Sequence, residues 1–290
     1  MFVHALVLRS AAVACAATLL VAAACAQSGV SAPSREDCLA EFTPQTGQPG
    51  KDVIWVPTND RLVTRMLQMA KTTPQDIVYD LGAGDGKIAI AAAKEFGATA
   101  VGVEYNPDMA KLGQCYARAE GVADKVKIIQ GDIFETDFSD ATVVTLYLLP
   151  DLNLKLRPTL LEMKPGTRVV SHSFMMGEWE PDERSMTQDG SAYLWIVPAE
   201  VQGAWTFRER DGTDAFGIVF EQAFQHVTGT VGTGPSATLI ADGRLTGSEI
   251  EFSLQRNGRT AKARGQVHDD RIDLTVTEGS REVVYIGTRS

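Results

Sequence analysis

The stretch "DIVYDLGAGDGKIAIAAAKEFG", residues 76–97, decides the fold. Its first half is apolar and partly β-branched, which reads as a strand ending near Leu81. Gly82, Gly84 and Gly86 follow at alternate positions, and an alanine-rich helical pattern then runs to a stop at Gly97. A strand that hands over to a helix through three glycines brings bare backbone and the unpaired N–H groups of a helix start to one place. Such a place receives the anionic end of a ligand.

The same alternation continues outward in both directions. Upstream, "VPTNDRLVTRMLQMAK" carries Leu62, Val63, Met66, Leu67 and Ala70 on one helical face, with Thr58 or Asn59 as the cap. Downstream, "TAVGVEY", "VKIIQGD", "TVVTLYLLP" and "TRVVSHSF" read as strands. They are separated by a helix from Pro107 closed at Gly121 and by "LNLKLRPTLLEMKPG", a helix expected to be interrupted at Pro158. Apolar strands alternating with amphipathic helices predict an α/β domain, with a doubly wound, mostly parallel sheet. Near residue 199 the helical stripes end. Short alternating runs separated by Asp211-Gly212, Asp242-Gly243 and Asn257-Gly258 predict hairpins, and hence an all-β sandwich or barrel over 199–290.

In an open parallel sheet, ligands sit at the carboxyl ends of the strands, where the strand order reverses. Asp80, Gly82, Gly84 and Gly86 lie at that end of the first strand. The G-x-G-x-G spacing differs from the dinucleotide G-x-G-x-x-G, whose third glycine would fall at Lys87. Glu104 ends the second strand, placed to accept hydrogen bonds from a ribose diol. Asp132 and Ile133 end the third, an acid and an apolar residue suited to the edge and face of adenine. Taken singly, these are turn formers and solvated acids. Together they predict a site for a nucleoside without a pyrophosphate, and S-adenosylmethionine has that shape.

The segments "VPTNDRLVTRML", "DLGAGDGKIAIAAAKEFGATAVGVEYNP", "LYLLPDLNLKLRPTLLEMKPGTRVVSHSF" and "GEWEPDE" resemble the class I S-adenosylmethionine-dependent methyltransferases. More narrowly they resemble the membrane-associated protein-lysine methyltransferases, which include a mitochondrial enzyme acting on the ATP synthase. The resemblance spans residues 53–198 and implies cofactor contacts from Asp80, Gly82, Gly84, Gly86, Glu104 and Asp132, with Thr58 lining the pocket. Tyr105 stands where the family usually has leucine. The acceptor implied is a protein lysine, with a small molecule as the alternative. A third reading is a non-catalytic nucleoside-binding envelope protein whose β-rich domain recognises a partner.

Asp151, in "LLPD", is the candidate for orienting or deprotonating the acceptor; its other reading is the N-cap of the next helix. His172 reads as structural before catalytic, and Trp179 either walls the acceptor pocket or packs in the core. Four histidines without paired spacing support no metal site. A net charge of −10 lacks the basic footprint that nucleic acid requires.

The first 26 residues form a segment of their own. Arg9 precedes an apolar run from Ala11 to Ala24, shorter than the roughly 20 residues of a membrane span. Ala24-Cys25-Ala26 closes it as in a secretory signal. A lipid attachment at Cys25 and a retained membrane anchor with the catalytic domain in the cytosol are the alternatives. Export to the periplasm, free or lipid-anchored, is the expectation. Residues 27–50 read as a linker and 51–198 as the methyltransferase domain. Cys38 and Cys115 remain after removal of the leader. Cys38 falls in that linker and Cys115 in a helix, so Cys115 reads as a packing residue rather than half of a disulfide.

Overall fold

Val78, Leu81, Val143, Val144 and Leu146 are buried on both sides of the sheet they form, as central parallel strands require. The polar members of these strands, Asp80 and Thr145, are buried with them and bond to each other. The sheet comprises β1 (Ile77–Leu81), β2 (Thr99–Glu104), β3 (Val126–Gln130), β4 (Val143–Leu146), β5 (Arg168–His172), β6 (Glu183–Thr187) and β7 (Gly190–Ile196), in the order β3-β2-β1-β4-β5-β7-β6. The first five are parallel to one another, whereas β7 pairs antiparallel with both β5 and β6. The strand order reverses between β1 and β4, which opens a crevice above their carboxyl ends. The β6–β7 hairpin carries no separate signal in the sequence reading and makes the sheet mixed.

The computed structural model describes residues 1, 32–256 and 258–290. The apolar run of the leader lies outside these residues. Helices α2 (Asp60–Met69), α3 (Lys87–Phe96) and α4 (Pro107–Ala119) share one core cluster with Val78, Ala100, Val126 and Val170. Helix α5 (Pro150–Leu161) sends Leu156 and Leu160 into another, with Leu81, Leu146, Val169 and Trp195. Asn59 is the cap of α2, its side chain accepting from Arg61 N at 2.9 Å. Pro158 does not interrupt α5. The proline removes one N–H, while the burial of Leu156 and Leu160 on either side holds the helix through it.

Residues 35–41 correct the linker expectation. They form a short helix, α1 (Arg35–Glu41), whose N-cap Ser34 and Asp37 satisfy each other's backbone N–H groups. This helix buries Cys38 against α4, and Cys38 and Cys115 form a disulfide. The sequence reading missed the bond because it missed the helix that presents Cys38.

Beyond residue 199 the chain forms a closed barrel. Strands β8 (Gly203–Glu209), β9 (Ala215–Ala223), β10 (His226–Val231), β11 (Thr238–Leu239), β12 (Ala241–Thr246), β13 (Glu249–Arg256), β14 (Arg259–His268), β15 (Arg271–Glu278) and β16 (Arg281–Arg289) are antiparallel throughout. Eight of them close through the β16–β8 pairing, and β11 is a two-residue addition alongside β10. Alternate residues such as Trp205, Phe207, Phe220, Phe252 and Leu274 fill the interior. Asp211-Gly212 lies at a hairpin, as expected, and Gly258 at the turn between β13 and β14, while Asn257 lies outside the described residues. Asp242-Gly243 does not lie at a hairpin: it sits inside β12 at a register shift, where a β-carbon on Gly243 would strike the Val227 backbone. The barrel meets the α/β domain through Phe224, whose ring stacks on Trp179 at 6.1 Å, and through Gln225, which donates to the Glu180 carbonyl at 2.6 Å.

Candidate active site

Gly82, Gly84 and Gly86 all have positive φ (85°, 56° and 78°), so the loop after β1 adopts a shape that side-chain-bearing residues resist. Close approach within the protein adds to the requirement. A β-carbon on Gly84 would collide with the Trp55 ring, and one on Gly86 would come within 3.0 Å of Ile128 Cδ1 and 3.4 Å of Gly113 Cα on α4. The loop is therefore pressed between α4 and a strap, residues 48–58, that crosses it.

Glu104, at the end of β2, fastens the loop from the other side. Its Oε2 accepts from Gly84 N at 2.7 Å and its Oε1 from Asn106 N at 2.8 Å. A carboxylate has about four lone-pair positions, so both oxygens keep capacity for a diol. Asp80 is buried and accepts from Thr145 Oγ1 at 2.7 Å. Burial, helped by the neighbouring Asp85 and Glu104 charges, pushes its carboxyl up to about 7. Asp132 pairs with Lys51 of the strap and accepts from Phe134 N at 3.0 Å; these bonds, the Lys51 one foremost, hold it below the usual carboxylate range.

These groups border a cavity of about 320 Å³. Of the residues expected at the site, Thr58, Asp80, Gly82, Glu104, Asp132 and Ile133 line it. Gly84 and Gly86 shape the loop behind it. Asp151 stands exposed in the first turn of α5, outside the cavity lining, and the N-cap is Leu149 instead. Trp179 is fully buried in the core against Trp195 and Phe224, and is not a wall of the cavity.

Sequence reasoning missed the strap's Lys51 and Trp55, together with Tyr147 and Phe174, all of which line the cavity. An isolated aromatic among the polar residues and prolines of "PGKDVIWVPTND" is the one signal that pointed to Trp55. His172 is buried behind Tyr147, ring on ring at 3.7 Å, with its Nδ1 3.1 Å from Thr58 Oγ1. Burial lowers its pKa to about 4, so the ring is neutral at ordinary pH.

The residues present fit the cofactor. Glu104 suits a ribose diol, Asp132 and Ile133 suit adenine, and the buried acids Asp80 and Asp85 favour a ligand with cationic groups. Fold and site together define an S-adenosylmethionine-dependent methyltransferase. The family model described as the ANTKMT methyltransferase domain matches residues 80–183. A protein-lysine N-methyltransferase of Saccharolobus islandicus (strain REY15A) is 46% identical over 151 residues, covering 50% of this chain and 94% of that protein. A human lysine N-methyltransferase named for the ATP synthase is 31% identical over 172 residues, covering 59% and 70%. A solved structure of an RNA methyltransferase from Salinibacter ruber, in complex with S-adenosyl-L-homocysteine, is 48% identical. It covers 55% of this chain and 99% of that one, with a TM-score of 0.50. The chain belongs to the ANTKMT-type methyltransferase family.

Proposed function

We propose that the protein transfers a methyl group from S-adenosylmethionine to the side-chain amine of a lysine in another protein. The observation that carries this reading is the 46% identity across nearly the whole of a protein-lysine N-methyltransferase, laid over a crevice with acids at one end and apolar aromatic walls at the other. The doubly wound arrangement expected for the sheet is supported by the separate core clusters of α2–α4 and of α5.

When bound, the cofactor supplies an electrophilic methyl on a sulfonium. The chain's own residues bind and orient. Asp80, Gly82, Glu104, Asp132 and Ile133 hold the nucleoside, and the strap shields it through Trp55 and Lys51. A lysine has a reference pKa of about 10.4 and must lose a proton before it attacks. An apolar wall lowers that pKa by withdrawing water from the charged form. In-line positioning then provides several kcal/mol of the acceleration. Asp151, exposed and outside the cavity, is left without a part in this chemistry.

The Salinibacter protein is named for RNA. A net charge of −10 speaks for a protein acceptor here. Incubation with methyl-labelled cofactor and a cell extract separates the readings. Label recovered as methyl-lysine after hydrolysis supports the proposal; ribonuclease-sensitive label supports RNA, and label confined to low-mass compounds supports a metabolite. Donor binding without incorporation supports a non-catalytic envelope protein.

We read the leader as an export signal, with a membrane anchor as the alternative. The Cys38–Cys115 bond supports export, because disulfides persist in oxidising compartments. A compartment-specific reporter fused after residue 198 tests this: activity in the cytosol contradicts export.

A further inference from the structure

The crevice divides along the order of the strands. Asp80, Glu104 and Asp132 stand over β1, β2 and β3, while Tyr147 follows β4 and Phe174 lies just beyond β5. Tyr147 and Phe174 line the cavity with their rings 6.3 Å apart and within 22° of parallel. Behind Tyr147 lies His172, nearly parallel to it, so three aromatic rings form one layered wall.

That wall is held from several directions. Thr58 of the strap bonds to His172 Nδ1. Gly190 leaves room for the same ring, since a β-carbon there would come within 3.2 Å of His172 Nε2. Between His172 and Phe174, Ser173 takes φ of 64°, a left-handed conformation that a non-glycine residue keeps only where its surroundings enforce it. Buried Asn153 supplies part of the enforcement by donating to the carbonyls of Phe174 and Met175 at 3.3 and 3.4 Å. A strained turn, a buried amide and a buried imidazole all converge on the placement of two cavity-lining rings.

We propose that Tyr147 and Phe174 form the seat of the acceptor lysine, with His172, Thr58 and Asn153 as positioning residues that fix the two rings. This rests on the lysine reading above. The rings cover the aliphatic chain of the lysine, and their faces attract its ammonium as it enters. Withdrawal of water along the same wall works against that attraction and favours the neutral amine, whose proton passes to solvent before the amine attacks. His172 contributes a flat, uncharged surface against which Tyr147 cannot tilt.

The test uses the full chain with Tyr147→Ala, Tyr147→Leu and Tyr147→Phe. S-Adenosylhomocysteine affinity is measured by calorimetry, and kcat and KM by the formation of labelled methyl-lysine in protein extract. n-Butylamine, a mimic of the lysine side chain, is the binding probe for the S-adenosylhomocysteine-loaded protein, followed through ring-proton NMR shifts. The Ala and Leu variants are expected to lose about thirtyfold in kcat/KM while cofactor-product affinity stays within about twofold. Their response to butylamine disappears. Tyr147→Phe keeps activity within about threefold, since the ring and not the hydroxyl is required. Tyr147→Leu keeps the apolar bulk, so a folding defect of the Ala variant does not decide the outcome. A Leu variant with unchanged kcat/KM overturns the proposal, as does one whose S-adenosylhomocysteine affinity falls in step with its activity, because the ring then belongs to the cofactor end. A wild-type protein that makes no methyl-lysine refutes the lysine reading instead.

Discussion

Breaking the Cys38–Cys115 bond should loosen both the α/β domain and its cofactor site. The bond spans 77 residues of sequence. On the chain-entropy relation, opening a loop of that length returns freedom to the unfolded chain worth about 4.5 kcal/mol at 25 °C. For a domain of this size that corresponds to a fall of roughly 9–18 °C in the midpoint of its thermal transition. The functional part follows from where the bond lies. It pins α1 to α4, and the chain running on from α1 becomes the strap that carries Lys51, Trp55 and Thr58 over the glycine loop. With α1 released, the Lys51–Asp132 pair and the contact of Trp55 with Gly84 lose their anchor, and S-adenosylhomocysteine should bind at least tenfold more weakly, the equivalent of about 1.4 kcal/mol. The assay compares the oxidised protein, the reduced and alkylated protein and the Cys38→Ser/Cys115→Ser variant, by thermal melting and by calorimetry with the ligand. Mass spectrometry confirms the thiol state. If the three preparations melt together and bind alike, the strap does not depend on the bond and the reasoning fails.

Three further outcomes are expected. Glu104→Gln should weaken S-adenosylhomocysteine binding by about 1–3 kcal/mol in calorimetry, since it removes a charged acceptor that also ties Gly84 N and Asn106 N. Asp80, pushed up to about 7 by burial, is protonated below that pH, and a cationic ligand displaces the proton. S-Adenosylmethionine affinity should thus rise between pH 6 and 8, with proton release read from the buffer dependence of the binding enthalpy; the uncharged thioether of S-adenosylhomocysteine should show less. His172 titrates at about 4 when folded, against an ordinary value near 6.5, so as pH falls through that window the unfolded chain takes up the proton first and stability declines. Urea midpoints across that range should fall less steeply for His172→Gln than for the wild type, and equal slopes would exclude His172 as the source.

The parts legible in the sequence were those written in short-range pattern. The β1 loop, Glu104 and Asp132 each stand at a strand end that alternation alone predicts, and the parallel strands bring those ends together. Lys51 and Asp132 lie 81 residues apart, and Arg65 meets Glu183 across 118. No local periodicity records such meetings. The disulfide stayed hidden because its first cysteine sits on a helix of only seven residues, too short for a hydrophobic stripe. Pro158 and Asp242-Gly243 misled in the opposite sense. Both are strong local signals overridden by packing, the proline by the core face of α5 and the dipeptide by the neighbouring strand β10. Tyr147 and Phe174 were present in quoted motifs, yet only the layered contact with His172 separates them from ordinary core aromatics.

The barrel has one seam unlike its other joints. Its other strands meet neighbours close in sequence, whereas β16 reaches back to β8, pairing Tyr285 with Glu209 and Arg289 with Trp205, and Ser290 N extends the joint to the Ala204 carbonyl. While that seam is open, both strands present unpaired backbone to the surroundings. A second copy in the same state offers the matching partners, β16 of one chain for β8 of the other. Crowded refolding therefore selects between self-closure and exchange of strands between molecules, and protection against interlocked dimers rests on how quickly β8 and β16 of one chain find each other.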